Sequence, residues 1–258
     1  MQKKIERLNN IIHTLRASNI VRIKELAKKL DVSEMTIRRD LNFLSGANVL
    51  TLIPGGAILR PDGISWDQKK YYLDSEESIR MDEKNRIGKK AASLIRQKDI
   101  VIIDSGSTTE RLVGYIPNDL EITLICYSMN ILLQIYNKNL PNLIFAGGYF
   151  HRDTAMFESS VGVQLINENR ANKAFISAGG ISEKLGITTP FRYEVETKRA
   201  AIETSQTKIL LVDSTKFGKI EGAYFAELNE FDVIVTDKAV DNYYAELITD
   251  KGIELHLV

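Results

Sequence analysis

The run Asp104-Ser105-Gly106-Ser107-Thr108-Thr109 gathers four hydroxyls and one glycine between an apolar stretch, Ile100–Ile103, and the start of a helical pattern at Glu110-Arg111-Leu112. A strand that hands over to a helix through such a loop makes a phosphate cradle. Backbone N–H groups converge there, the helix dipole favours an anion, and hydroxyls add donors. The loop lacks the Gly-Lys-Ser/Thr ending of a nucleoside-triphosphate loop and the second and third glycines of a dinucleotide fingerprint. Similar chemistry recurs further on, at Tyr127-Ser128, Gly147-Gly148, Gly179-Gly180, Glu194-Val195-Glu196-Thr197-Lys198-Arg199 and Asp213-Ser214-Thr215-Lys216-Phe217-Gly218. Taken singly, each pair of glycines reads as a turn, Lys198-Arg199 as a solvated helix face and Asp213 as a helix cap. Taken together they mark effector contacts: Asp104, Ser105, Gly106, Ser107, Thr108, Thr109, Tyr127, Ser128, Gly147, Gly148, Glu194, Lys198 and Lys216, with Lys198 or Lys216 neutralising a phosphate.

A second kind of chemistry lies near the N-terminus. In the span Arg22 to Leu41, Ser33 is placed to cap a helix that carries Thr36, Arg38, Arg39 and Asn42 away from its apolar positions Ile37, Leu41 and Leu44. Hydroxyls in the first turn suit phosphates. Arginines after them suit guanine edges or phosphates. The candidate DNA contacts are Arg22, Ser33, Thr36, Arg38, Arg39 and Asn42.

The elements that must hold these residues fall into two groups. Ile5, Leu8, Ile12 and Leu15 recur at helical spacing; a short helix fits Ile23–Leu30, Asp31-Val32 turns the chain, and the capped helix runs to about Leu44. Val49–Ile53 reads as a strand, Pro54-Gly55-Gly56 as its turn and Ala57–Leu59 as the returning strand. Residues 1–60 thus form a winged helix-turn-helix. Polar residues 61–81, with Trp66, Tyr71 and Tyr72 among them, read as a linker. From residue 82 to 258 a helix over Asp82–Arg96 leads into short apolar strands at Ile100–Ile103, Ile122–Cys126, Asn142–Ala146, Lys173–Ser177, Lys208–Val212 and Phe231–Thr236. Helical stretches between them predict an α/β domain with a mainly parallel sheet, whose ligands sit at the carboxyl ends of its strands.

The zero net charge conceals an asymmetry. Of 34 basic and 34 acidic residues, the first 60 positions hold 11 and 5, which leaves 23 and 29 for the rest. A basic head on an acidic body points the head at a polyanion.

The run Val32-Ser33-Glu34-Met35-Thr36-Ile37-Arg38-Arg39-Asp40-Leu41, with Leu26-Ala27 before it and Gly55-Gly56-Ala57 after it, resembles the helix-turn-helix signature of the DeoR family of bacterial sugar-metabolism repressors. Pro54 departs from the histidine many members carry there, and Ser45-Gly46-Ala47-Asn48 is a less usual junction. Asp104–Thr109, Glu194…Lys198-Arg199 and Asp213–Gly218 are similar to the family's sensor motifs, so the resemblance spans essentially the whole chain. It implies a C-terminal sensor of sugar-phosphate-isomerase-like α/β fold. It also implies a repressor released from a (pseudo)palindromic operator by a phosphorylated sugar, acting as a dimer or larger homo-oligomer. Within the family, Ile125–Asn130 and Phe150–Phe157 look like a branch governing deoxyribonucleoside catabolism, which implies deoxyribose-5-phosphate as inducer.

Other functions are less well served. His13, His151 and His256 lack metal-ligand spacing, so neither metal nor cofactor is expected. His151 reads as structural. Cys126 reads as buried packing, and one cysteine fits a reducing cytoplasm. No apolar run approaches the roughly 20 residues of a membrane span, and the polar N-terminus lacks the apolar core of a secretory signal. An isomerase with an accessory head is the alternative, with Asp104, Glu194 or Asp213 as base. It gives the basic recognition helix no task, and so a non-enzyme is expected. No RNA-module motif or aromatic platform stands out.

Overall fold

The computed structural model describes residues 7, 8, 10, 11, 14, 15, 20–46, 50–59, 80–138 and 142–258. The chain divides into two compact units, Met1–Lys70 and Tyr71–Val258. Of the linker expected over 61–81, residues 61–79, with Trp66, Tyr71 and Tyr72, fall outside the described residues, as do Ile5, Ile12 and His13 of the first helical pattern, while Met81 already begins a helix. No helix among the described residues is long and apolar enough to cross a membrane.

In the first unit, β1 (Ile20–Arg22) leads directly into α1 (Ile23–Lys29), and a turn separates α1 from α2 (Glu34–Gly46). Asp31, at φ 51°, takes the left-handed conformation that makes this turn tight. Strands β2 (Leu50–Ile53) and β3 (Gly56–Leu59) form the expected hairpin, and β1 pairs antiparallel with β3, giving the order β1-β3-β2. β1 is an addition, because three residues are too few for alternation to declare a strand. Ile11, Leu15, Ile23, Leu26, Ile37, Leu41, Leu44 and Leu50 close one apolar core. The spacing read for the second and third helices is that of buried positions, whereas in the first helical pattern Ile11, which the expected face left out, is buried with Leu15. On the inner face of α2, Asp40 is only 2% exposed and takes Arg7 Nε at 2.5 Å. The hydrogen bond to Asp40 raises the Arg7 pKa further, against burial.

The second unit is built on seven parallel strands: β4 (Ile100–Ile103), β5 (Thr123–Cys126), β6 (Asn142–Phe145), β9 (Ala171–Ser177), β12 (Ser205–Leu211), β14 (Val233–Thr236) and β15 (Glu254–Leu257). Their order is β15-β14-β12-β9-β4-β5-β6. Alternation within single strands assigns the two faces. Val101 and Ile103 face α3 (Met81–Ala92), α4 (Ser107–Tyr115) and α5 (Met129–Lys138). Ile102 faces the core of α6 (Ser160–Asn167), α7 (Val195–Glu203) and α8 (Asn242–Asp250). With both faces covered, the central strands β4, β5 and β14 are almost wholly buried, which is why they read as apolar runs, whereas the edge strands β6 and β15 stay partly exposed.

Three features are absent from the sequence expectation. β15 is one, because Glu254-Leu255-His256-Leu257 is too polar to resemble the other strands. The second is a hairpin of β7 (Tyr149–His151) and β8 (Met156–Glu158). The third is an antiparallel sheet of β10 (Gly180–Ser182), β11 (Gly186–Thr189) and β13 (Ala223–Ala226). The expected helix over Asp82–Arg96 is shorter, at Met81–Ala92.

Candidate effector cleft and nucleic-acid interface

At the carboxyl ends of β4, β9 and β12 lies a cleft lined by Ser105, Gly106, Ser107, Thr108, Thr154, Ser177, Ala178, Gly179, Thr189, Pro190, Glu194 and Lys216. Its non-atom space is about 450 Å3, open solvent at the mouth included. The Ser105–Thr108 loop enters α4 through Gly106, whose φ of 153° and contacts admit no side chain: a Cβ there would lie 2.7 Å from Ser177 Oγ. No side chain caps α4. Its first-turn amides lack acceptors within the helix and carry the positive end of its dipole. From α3, Lys84 is 1% exposed and brings its Nζ to 2.9 Å from Ser107 Oγ. Lys216 reaches the cleft from a 3-10 turn, Ser214–Lys216, that Asp213 caps through the amide of Thr215 at 3.0 Å. Asp237 holds the Ser214 amide at 2.6 Å and Arg80 at 3.0 Å. Burial opposes charge on Asp237, but the Ser214 bonds and Arg80 outweigh it and leave the carboxyl below its usual range.

Behind the loop sits a fully buried polar knot. Asp104 is 0% exposed. Its Oδ1 accepts from the Tyr127 hydroxyl at 2.6 Å, and its Oδ2 takes the Ser177 amide at 2.8 Å and Lys198 Nζ at 2.5 Å. Ser177 Oγ lies 2.8 Å from Oδ2 and 2.6 Å from the Ser105 carbonyl, so one hydroxyl bridges two strand ends. Burial works against the Lys198 charge, but Asp104 and Glu194 overcome it and raise the ammonium pKa. Burial, then Asp104, push the Tyr127 phenol well above its ordinary value. Glu194 has Oε2 at 3.5 Å from Lys198, and its Oε1 is buried without a hydrogen-bond partner. Burial lifts the Glu194 carboxyl above 4.5, against the pull of Lys198.

Of the effector residues expected from sequence, Ser105, Gly106, Ser107, Thr108, Glu194 and Lys216 line the cleft together. Asp104, Thr109, Tyr127 and Lys198 stand behind it. Lys198 is a correction to the solvated or phosphate-facing lysine: its charge is committed to Asp104 and Glu194 in the interior. Thr109 is spent on the carbonyls of Asp104 and Gly106, at 2.7 and 3.0 Å. Ser128 is fully buried beside Met156. Gly147 and Gly148 are outside the lining and serve the hairpin instead. The Gly147 carbonyl accepts from Ser159, and a Cβ on Gly148 would lie 2.2 Å from the Glu158 carbonyl oxygen.

Sequence reasoning did not single out Lys84, Thr154, Ser177 or Thr189. Thr154 arrives on the tip of the β7–β8 hairpin, where its hydroxyl is 3.2 Å from that of Tyr193. His151 stacks on Tyr193 with ring centres 3.6 Å apart and meets Glu158 at 2.6 Å, so its place is structural. Cys126 is wholly buried, and burial pushes its thiol up to about 12. Among the described residues no three His, Cys, Asp or Glu side chains converge as metal ligands would.

In the first unit, Ser33 Oγ accepts the Thr36 amide at 3.2 Å and lies 2.9 Å from Thr36 Oγ1. The cap thus fixes the start of α2. Arg38, Arg39 and Asn42 are exposed, Thr36 is half-buried, and Arg22 is exposed on β1. Met35 is 63% exposed, an apolar side chain three and four positions before the two arginines.

A basic, capped helix presented by a three-stranded winged unit, together with a parallel α/β unit carrying a polar cleft, defines a two-domain DNA-binding regulator with a ligand sensor. The sequence comparison agrees: a model of the DeoR-like helix-turn-helix domain matches residues 7–61, and a model of the DeoR C-terminal sensor domain matches residues 79–238. The chain belongs to the DeoR family. It is 33% identical over 253 residues to the deoxyribose operon repressor of Escherichia coli K12, covering 98% of each chain. It is 31% identical over 250 residues to the HTH-type transcriptional repressor GlcR of Bacillus subtilis 168, covering 97% of this chain and 95% of that one. Among solved structures, ribose 5-phosphate isomerase A of Methanocaldococcus jannaschii overlaps 53% of this chain and 54% of its own at a TM-score of 0.41 and 15% identity.

Proposed function

We propose that this protein represses a carbohydrate or deoxyribonucleoside catabolic operon and releases its operator when a phosphorylated sugar fills the cleft. The observation that carries the proposal is the uncapped start of α4, where Ser105, Ser107 and Thr108 line a cleft shared with Lys216 and backed by Lys84. Amides, hydroxyls and ammonium groups gathered at a helix N-terminus are the chemistry of a phosphate site. On the other unit, Ser33 and Thr36 take phosphates, Arg38, Arg39 and Asn42 read base edges, and Arg22 adds a backbone contact from β1. Met35 supplies an apolar surface for a thymine methyl group.

The relatives named as repressors support the regulatory reading. The deoxyribose operon repressor makes deoxyribose-5-phosphate the first ligand to try. In this reading the protein is a homo-oligomer whose paired helices match two half-sites, and ligand favours a state in which they do not. Of the three carboxylates an isomerase could use as base, Asp104 already accepts from Tyr127, Ser177 and Lys198 and Asp213 caps its own turn, which leaves Glu194 alone facing the cleft. The relatives named as repressors favour regulation over turnover.

A thermal-shift series of phosphorylated sugars tests the sensor half, because a ligand bound only by the folded state raises the melting temperature by mass action. The expected result is a shift of several degrees with deoxyribose-5-phosphate or a close analogue, and none with the unphosphorylated sugar. A series in which no phosphorylated sugar moves the transition would contradict it.

A further inference from the structure

We infer that the cleft selects ligands with one anionic end only, and that Glu194 Oε1 does the selecting by requiring a hydroxyl donor from the ligand. The inference rests on the phosphate cradle proposed above and adds what must lie at the other end of the ligand. Glu194 is 5% exposed and lines the cleft. Its Oε2 faces Lys198 at 3.5 Å and the Thr189 hydroxyl helps to hold the carboxyl charged, while its Oε1 makes no hydrogen bond. Buried acceptors are nearly always satisfied in folded proteins, so an exception inside a binding cleft calls for a partner that the protein does not supply. A ligand hydroxyl supplies it.

The charge layout reinforces the point. Lys84 meets Ser107 at the start of α4 and Lys216 adds a second ammonium to the lining, whereas Glu194 gives the same lining a carboxylate held by a buried lysine whose charge is already shared with Asp104. A phosphorylated polyol or sugar, anionic at one end and hydroxylated at the other, fits that polarity. A phosphorylated acid would set its carboxylate against Glu194, where both like-charge repulsion and desolvation oppose it. Thr154 and Thr189, whose hydroxyls both donate and accept, complete a lining suited to sugar hydroxyls. The wild-type site therefore rejects part of the phosphate-bearing pool by an unmet acceptor, a stronger filter than shape alone.

Calorimetry on the full chain with three probes tests this: ribose 5-phosphate, 3-phosphoglycerate and inorganic phosphate. The wild type is expected to bind ribose 5-phosphate at least about tenfold more tightly than either other probe, the worth of one hydrogen bond to a charged group. Glu194→Gln, which turns a donor toward the ligand, is expected to lose that advantage while binding inorganic phosphate within about twofold of wild type. Retained phosphate binding also reports that the variant is folded. Equal wild-type affinities for ribose 5-phosphate and 3-phosphoglycerate would overturn the inference without recourse to any variant. So would an undiminished sugar preference in Glu194→Gln. If the wild type bound none of the three, the phosphate cradle itself would fall, and the selectivity with it.

Discussion

The recognition helix and the sensor cleft are built in opposite ways. The DNA contacts proposed for α2 and its cap come from ten consecutive residues, Ser33 to Asn42, stand exposed apart from the half-buried Thr36, and owe their placement to one cap and one apolar stripe. The cleft draws on segments from Lys84 to Lys216, and its functional groups are mostly buried. Ser105, Ser107, Thr108, Thr154, Thr189 and Glu194 are each at most 6% exposed. A surface reader needs a rigid rod with free side chains. A ligand sensor needs groups already stripped of water, each kept in place by another. The difference predicts that damage to the helix is local and damage to the cleft spreads.

The largest expected effect tests the buried knot. Lys198→Ala leaves Asp104 charged at zero exposure with no cation. Breaking a buried ion pair from one side costs about 3–5 kcal/mol. Chemical denaturation should show that loss in the sensor unit even without ligand. A variant as stable as wild type would return Lys198 to the role of a dispensable ligand contact.

Next come the two arginines. Arg38→Ala and Arg39→Ala should each weaken operator binding by about 1–3 kcal/mol, the value of a base-edge contact, and leave the sensor's melting transition unmoved. Fluorescence anisotropy on labelled operator measures the first, and calorimetry the second. Normal affinity in both variants would dissolve the contrast between the regions.

Ser107→Ala, Thr108→Ala and Lys216→Ala form the complementary set. Each should reduce effector affinity about tenfold or more through a lost bond to a charged phosphate, with DNA binding retained in the absence of ligand. An inducer response that survives all three would remove the cradle.

The smallest effect is a pH dependence. Glu194 has a folded pKa raised above 4.5, chiefly by burial, so it favours the folded state fully below 4.5. That contribution is lost as pH rises through the folded value. Wild type should therefore lose stability relative to Glu194→Gln as pH climbs from about 4.5, by melting temperature in matched buffers. A constant difference would place the carboxylate in a more solvated setting than its burial indicates.

This contrast also sets what a linear reading could find. The helix-turn-helix was legible because its signal is local: Ser33, Ile37, Leu41 and the arginines declare a cap, a buried stripe and an exposed face within three turns. The parallel strands were legible as apolar runs, and Ser105–Thr108 because the cradle is one contiguous loop. Thr154, Ser177 and Thr189 were not, since an isolated Ser or Thr has no pattern and only strand order brings them to one place. Lys84 lies inside an amphipathic helix, where nothing in the sequence marks it off from an ordinary polar position. Lys198 was read as a phosphate contact or solvated face for the same reason, although the pairing with Asp104 across 94 positions decides its role. β1 escaped because three residues are too few to show alternation, and β15 because its polar residues make it a strand only through its pairing with β14.

The coupling between the two regions is the central claim, and operator binding in the presence of effector tests it most directly. Anisotropy titrations at fixed salt, with operator fragments enriched from genomic DNA by the protein itself, should be run with and without deoxyribose-5-phosphate. Salt must be held constant because phosphate contacts make affinity steeply salt-dependent. A fall of about 5–150-fold in operator affinity, the usual range of allosteric coupling, is predicted. The fall should be absent with deoxyribose and absent in Ser107→Ala. Operator affinity that is unchanged while the same ligand demonstrably occupies the cleft would contradict the account.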